Sequence, residues 1–153
     1  MALVRWEDRY AVGQPQIDDE HRYLFQLIND FHDAFVDAGN RAQLLWLLNR
    51  LVDYAQRHFT NEERLMLESG YPGLDAHRAR HVQLFEQIFV LNSKFEERTV
   101  NPARETVLFL RTWLADHILH EDMAVGAHLK CLQSGAEQVA GGLADGDRRT
   151  TSR

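Results

Sequence analysis

The chain has 153 residues, enough for one domain with a sizeable core and too few for two ordinary ones. Hydrophobic residues make up 44% and charged residues 26%, the balance of a globular protein rather than a disordered one. Seventeen basic side chains against 23 acidic give a formal net charge of -6, the wrong sign for a nucleic-acid or anionic-membrane partner.

Met1 to Ile17, with Trp6, Tyr10, Gly13 and Pro15, reads as an irregular arm. A first helix is expected from Asp18 or Asp19, either of which could cap it, to Gly39-Asn40, on an apolar stripe of Leu24, Ile28, Phe31 and Phe35. A second runs from about Arg41 to Ser69 on Leu44, Leu47, Leu51, Tyr54 and Leu65, and Gly70-Tyr71-Pro72-Gly73 stops it. A third reaches about Phe95 on Leu74, Leu84, Ile88, Leu91 and Phe95. A fourth opens after Asn101, with Pro102 in the first turn where its missing N–H does no harm, and carries Val107, Leu110 and Leu114. From Ser134 the chain is Gly, Ala, polar and basic, and reads as a loose tail. The pattern predicts an all-α, antiparallel up-down-up-down four-helix bundle over residues 1–133, with an N-terminal arm and a disordered, flexible C-terminal tail over 134–153.

Eight histidines are many for so small and acidic a chain. His21 precedes Leu24 by three; His58 follows Tyr54 by four, and Glu62 follows His58 by four; His77 and His81 fall between Leu74 and Leu84; His117 follows Leu114 by three. Five histidines and a glutamate therefore occupy apolar stripe positions. In an antiparallel pair, residues equidistant from the turn share a height. His21 and His58 are centred on Gly39-Asn40; His58 with His81, and Glu62 with His77, on Ser69-Gly70; His81 and His117 on the Glu97 to Pro102 turn. All six side chains thus converge on one layer. A lone core histidine is usually only hydrogen-bonded, but six in-phase groups including a buried carboxylate need a compensator, and a metal ion is the strongest available.

Nitrogen and carboxylate donors without thiolate suit iron, manganese or zinc. Five imidazoles plus carboxylates exceed what one tetrahedral zinc can use, and two metals bridged by carboxylates fit the count better. On the fourth helix Glu121 has the better helical phase, four residues after His117. Asp122, five after, is in phase only if the helix deforms, for example by a π-bulge; spacing leaves both open. His32 and His128 are each eleven residues from a candidate ligand, too far to join it, and His120 is off the stripe.

Ile17-Asp18-Asp19-Glu20-His21, His58-Phe59-Thr60-Asn61-Glu62, His77-Arg78-Ala79-Arg80-His81 and His117-Ile118-Leu119-His120-Glu121-Asp122 together form an H…HxxxE…HxxxH…HxxxxD pattern. In this the chain resembles the hemerythrins, specifically the single-domain bacterial ones, over roughly residues 5 to 130. The resemblance selects Asp122 over Glu121 and implies a non-haem di-iron centre: His77, His81 and His117 on one iron, His21 and His58 on the other, with Glu62, Asp122 and a solvent-derived oxo or hydroxo group bridging them. It implies reversible dioxygen binding at the open position of the two-histidine iron. Leu24, Phe59, Trp113, Leu114 and Ile118 match the family's apolar dioxygen pocket, which must keep water from the bound ligand.

The expected function is oxygen transport, storage or delivery, for instance to an oxygen-consuming enzyme, and not catalysis. An oxygen or redox sensor acting through a partner is the first alternative; no signalling module is visible. A di-iron peroxidase or nitric-oxide-handling enzyme ranks last, since no catalytic group beyond the ligand set is apparent. The single Cys131 excludes an internal disulfide and suits a reducing compartment. With no apolar leader and no apolar run near the roughly 18 residues that span a bilayer, the expectation is a cytoplasmic monomer with no membrane insertion.

Overall fold

The structure is a computed structural model that describes residues 2–37, 40–97 and 103–145, with side chains through 139. Among these residues there is no β-strand, and no helix is long and apolar enough to cross a membrane. Four helices form the bundle: α1 (Pro15–Val36), α2 (Arg41–Glu68), α3 (Leu74–Glu96) and α4 (Ala103–His117). A π-helical segment, Ile118–Asp122, follows α4 and leads without a break into α5 (Met123–Asp145). Each helix packs on its sequence neighbour and α1 closes the ring against α4, burying Leu24, Ile28, Phe31, Leu48, Leu51, Ile88, Leu110 and Ile118 completely or nearly so.

Helix α1 begins earlier than Asp18 or Asp19. Pro15, its φ already helical, starts it, and the Gln14 side chain caps it by accepting from the Ile17 N–H at 3.1 Å. Asp18 has a different use. It is buried, and its carboxylate accepts from the N–H groups of Val12 (2.7 Å) and Gly13 (3.2 Å). Gly13 sits at φ +86°, a left-handed turn that a glycine takes at no steric cost. The arm is tied a second time, where the Asn29 amide exchanges hydrogen bonds with the backbone of Val4 (3.0 and 2.9 Å).

Asn40 caps α2 through the Gln43 N–H. At the other end Gly70, at φ +65°, donates to Leu67 while Tyr71 donates back to Met66 (3.2 and 2.9 Å), the paired bonds of a Schellman stop. Near that end Met66 is fully buried and Leu65 only half-buried, because Met66 follows Glu62 by four and shares its face. Gly39, the turn beyond Glu97 and the Asn101-Pro102 helix start lie outside the described residues.

A loose tail is expected from Ser134. From Ser134 to Asp145 the chain is helix, since Ala, Leu, Gln and Glu outweigh the glycines locally, although every described side chain from 131 to 139 is exposed. Residues 146–153 lie outside the described part.

Candidate metal centre

Every polar residue that the helical phase placed on the stripe is buried. His21 and His58 come from α1 and α2, Glu62 from α2, His77 and His81 from α3 and His117 from α4; none exceeds 5% exposure. Asp122 comes from the π segment and is fully buried. The extra residue accommodated by an i→i+5 turn brings Asp122 onto the face of His117, which a regular helix would have given to Glu121.

Their donor atoms fall into two overlapping groups, each gathered within 4.8 Å: Glu62, His77, His81, His117 and Asp122 in one, His21, His58, Glu62 and Asp122 in the other. The two carboxylates belong to both. Asp122 divides its oxygens, Oδ1 lying 3.2 Å from His77 Nε2 and 3.0 Å from His117 Nε2, and Oδ2 3.1 Å from His21 Nε2. Glu62 Oε2 lies 3.2 Å from His81 Nε2, 3.4 Å from His77 Nε2 and 4.0 Å from His58 Nε2.

A cation fits this arrangement better than hydrogen bonds do. Both ring nitrogens of His21, Nε2 of His58, Oε2 of Glu62 and both oxygens of Asp122 are buried with no hydrogen-bond partner, an arrangement that costs free energy at every atom. The Nε2 atoms of His77 and His81 are 3.0 Å apart and those of His81 and His117 3.1 Å apart. Metal–imidazole bonds of about 2.1 Å imply cis donors about 3.0 Å apart in an octahedron and about 3.4 Å apart in a tetrahedron. At 3.0–3.1 Å the nitrogens are close enough to share a six-coordinate ion such as iron or manganese, and closer than a zinc tetrahedron would place them.

Three of the five imidazoles present their other nitrogen to a carboxylate. His58 Nδ1 meets Glu20 Oε2 at 2.8 Å, His81 Nδ1 meets Glu63 Oε1 at 3.0 Å, and His117 Nδ1 pairs with Glu121 Oε2 at 2.5 Å. Arg78 and Arg80 in turn hold Glu63 and Glu121. A hydrogen on Nδ1 leaves the Nε2 lone pair facing inward, as a metal ligand requires.

Residues 12–129 match the Hemerythrin HHE cation binding domain. The chain is 33% identical to the bacteriohemerythrin of Methylococcus capsulatus over 127 residues, covering 82% of this chain and 96% of the relative. The chain belongs to the hemerythrin family. The bacteriohemerythrin of Stenotrophomonas maltophilia is likewise 33% identical, with 93% of each chain covered. A crystal structure of wild-type hemerythrin superposes with a TM-score of 0.78 at 32% identity, covering 84% of this chain and 98% of that one. Family membership and the buried donor cluster together support a non-haem di-iron site here.

The five hemerythrin pocket candidates are all buried. Phe59 stacks face to face on His81 (4.0 Å between centroids, 13° between planes) and meets His117 and Trp113 edge-on at 6.0 Å. Leu24, Leu114 and Ile118 lie in the same core. A surface groove of about 620 Å³ between α3 and α4, lined by Val90, Leu91 and Phe109 among others, contains no ligand candidate.

Without a cation the donor set holds protons. Burial pulls the His77 and His117 pKa values down, but Asp122 and Glu62 more than reverse this, to about 9 and about 10, with Glu121 adding to the rise at His117. Burial and Asp122 push Glu62 up, and the adjacent His77 and His81 imidazoles bring it down to about 2. Asp122 is held well below its usual value, burial being outweighed by His117, His21 and His77.

The remaining histidines stay apart from the centre. His32 contacts Asp33, His120 the Asp116 carbonyl, and His128 the Ser69 carbonyl. Sequence reasoning missed Glu20, Glu63 and Glu121 as ligand partners. Their signal was adjacency: each is the immediate neighbour of a donor, His21, Glu62 or Asp122.

Proposed function

We propose that this chain binds dioxygen reversibly at two irons, as an oxygen carrier or store. The observation that carries this reading is the sharing of Glu62 and Asp122 by a three-histidine group and a two-histidine group, which gives the second position one ligand fewer. His77, His81 and His117 would hold one iron, His21 and His58 the other, and Glu62 and Asp122 would bridge them, with a bridging oxo or hydroxo group from solvent. Two irons, when bound, supply the pair of electrons that reversible dioxygen binding needs. The chain supplies the rest. Leu24, Phe59, Trp113, Leu114 and Ile118 line the centre with apolar surface and exclude water, while Glu20, Glu63 and Glu121 hold imidazoles in their metal-binding orientation. A donor set rich in imidazole favours binding over oxygenation, since oxidising di-iron proteins rely more on glutamates.

The test is anaerobic reduction of the iron-loaded protein, then exposure to air and removal of oxygen, followed by visible absorption and metal analysis. The expected result is two irons per chain and a spectrum that appears and disappears with oxygen. One iron, mainly zinc, or irreversible oxidation alone overturns the reading. Residues 1–133 are the proposed functional unit, so a chain truncated after Gln133 should give the same iron content and spectra.

A further inference from the structure

The carboxylates behind the imidazoles differ between the two sides of the centre. Glu63 and Glu121, which face the three-histidine group, are each paired with a cation: Arg78 Nε lies 3.0 Å from Glu63 Oε2, and Arg80 Nε 3.1 Å from Glu121 Oε1. Glu20, which faces His58 of the two-histidine group, is held by neutral amides. Its Oε1 accepts from Asn61 Nδ2 at 2.8 Å and from Gln16 Nε2 at 3.1 Å, and among the described residues no arginine or lysine pairs with it. The other imidazole of that group, His21, has a buried Nδ1 with no partner. Glu20, acting through His58, is therefore the one carboxylate that backs an imidazole of that group among the described residues.

We propose that Glu20 is a positioning residue that sets how electron-rich the two-histidine metal position is, by holding and polarising His58 through its 2.8 Å contact with Nδ1. The proposal rests on the di-iron reading. A carboxylate on Nδ1 makes the imidazole a stronger donor than a neutral acceptor does, and a metal with stronger donors attracts an added anion less. Asn61 and Gln16 fix the direction of this push without neutralising it.

The variants that test this are Glu20→Gln, which keeps shape and an acceptor oxygen but removes the charge, and Glu63→Gln, its counterpart in the three-histidine group. Each is loaded with iron, oxidised, titrated with azide as a small anionic probe, and challenged with a chelator to time iron loss. Glu20→Gln should bind azide about tenfold more tightly than the parent and lose iron about tenfold faster, and Glu63→Gln should move azide affinity less. Unchanged azide affinity in Glu20→Gln, or an equal shift in Glu63→Gln, overturns the proposal. A folded Glu20→Gln that holds one iron where Glu63→Gln holds two supports it, because the loss falls on the His58 group. If Glu20→Gln does not fold, Asn61→Ala removes an anchor of Glu20 and touches no ligand. It should shift azide affinity in the same direction by less, and no shift overturns the proposal. A parent chain that never holds two irons overturns the di-iron reading instead, before any variant is compared.

Discussion

Asp122 and Glu121 are neighbours with opposite surroundings. Asp122 is fully buried with neither oxygen hydrogen-bonded; Glu121 is part-exposed between Arg80 and His117. Their substitutions should therefore differ in kind. Asp122→Asn removes a charge from both donor groups and should leave at most one iron per chain by metal analysis. Glu121→Gln should keep two irons but hold them about 10–100-fold less tightly in chelator competition. Equal iron loss in both variants would contradict these roles. Six of the seven donors were legible because helical phase and turn positions are local properties of a sequence. The choice between 121 and 122 was not, since a π turn is stabilised by what its residues meet across the bundle, and spacing cannot report that. The family pattern made the choice.

At the scale of elements, the apolar periods located the helices well because each helix must bury one stripe. They located the start of α1 poorly, because Asp18 has the chemistry of a cap and is used instead as an anchor for Val12 and Gly13. The contact that completes the anchoring is between backbones. A Cβ on Gly126 of α5 would collide with the Val12 carbonyl and lie 2.8 Å from its Cβ. Gly126→Ala should therefore displace the arm and cost about 1–3 kcal/mol, read as a lower midpoint in thermal or denaturant unfolding. The helical stretch after Ser134 was missed for the opposite reason: its described side chains are all exposed, so it shows no buried stripe from which a helix is read, and only propensity marks it.

For the whole molecule, the centre couples metal content to pH. In the metal-free protein the pKa values of His77 and His117 stand above the unfolded value of about 6.5, at about 9 and about 10. Their contribution to stability is fully present below about pH 6.5 and is lost as pH rises through about 9 to 10. Glu62 acts in the opposite sense: its contribution is present above about pH 4.5 and is lost as pH falls towards about 2. The melting temperature of the metal-free chain should therefore fall between neutral pH and about pH 10, while iron, by replacing the protons, should flatten that slope. Parallel pH profiles for the two forms would refute the coupling.

The short spacing of the imidazole nitrogens bears on the size of ion that fits between them. One edge, 3.0 Å, lies between two imidazoles of α3 and the other, 3.1 Å, between α3 and α4, so an ion held by all three histidines would meet a fixed spacing along one helix and across two. Calcium, with bonds of about 2.3–2.6 Å, would need edges near 3.5 Å, wider than either pair of imidazoles presents. An oversized ion would therefore be disfavoured by the spacing of the donors as well as by their chemistry.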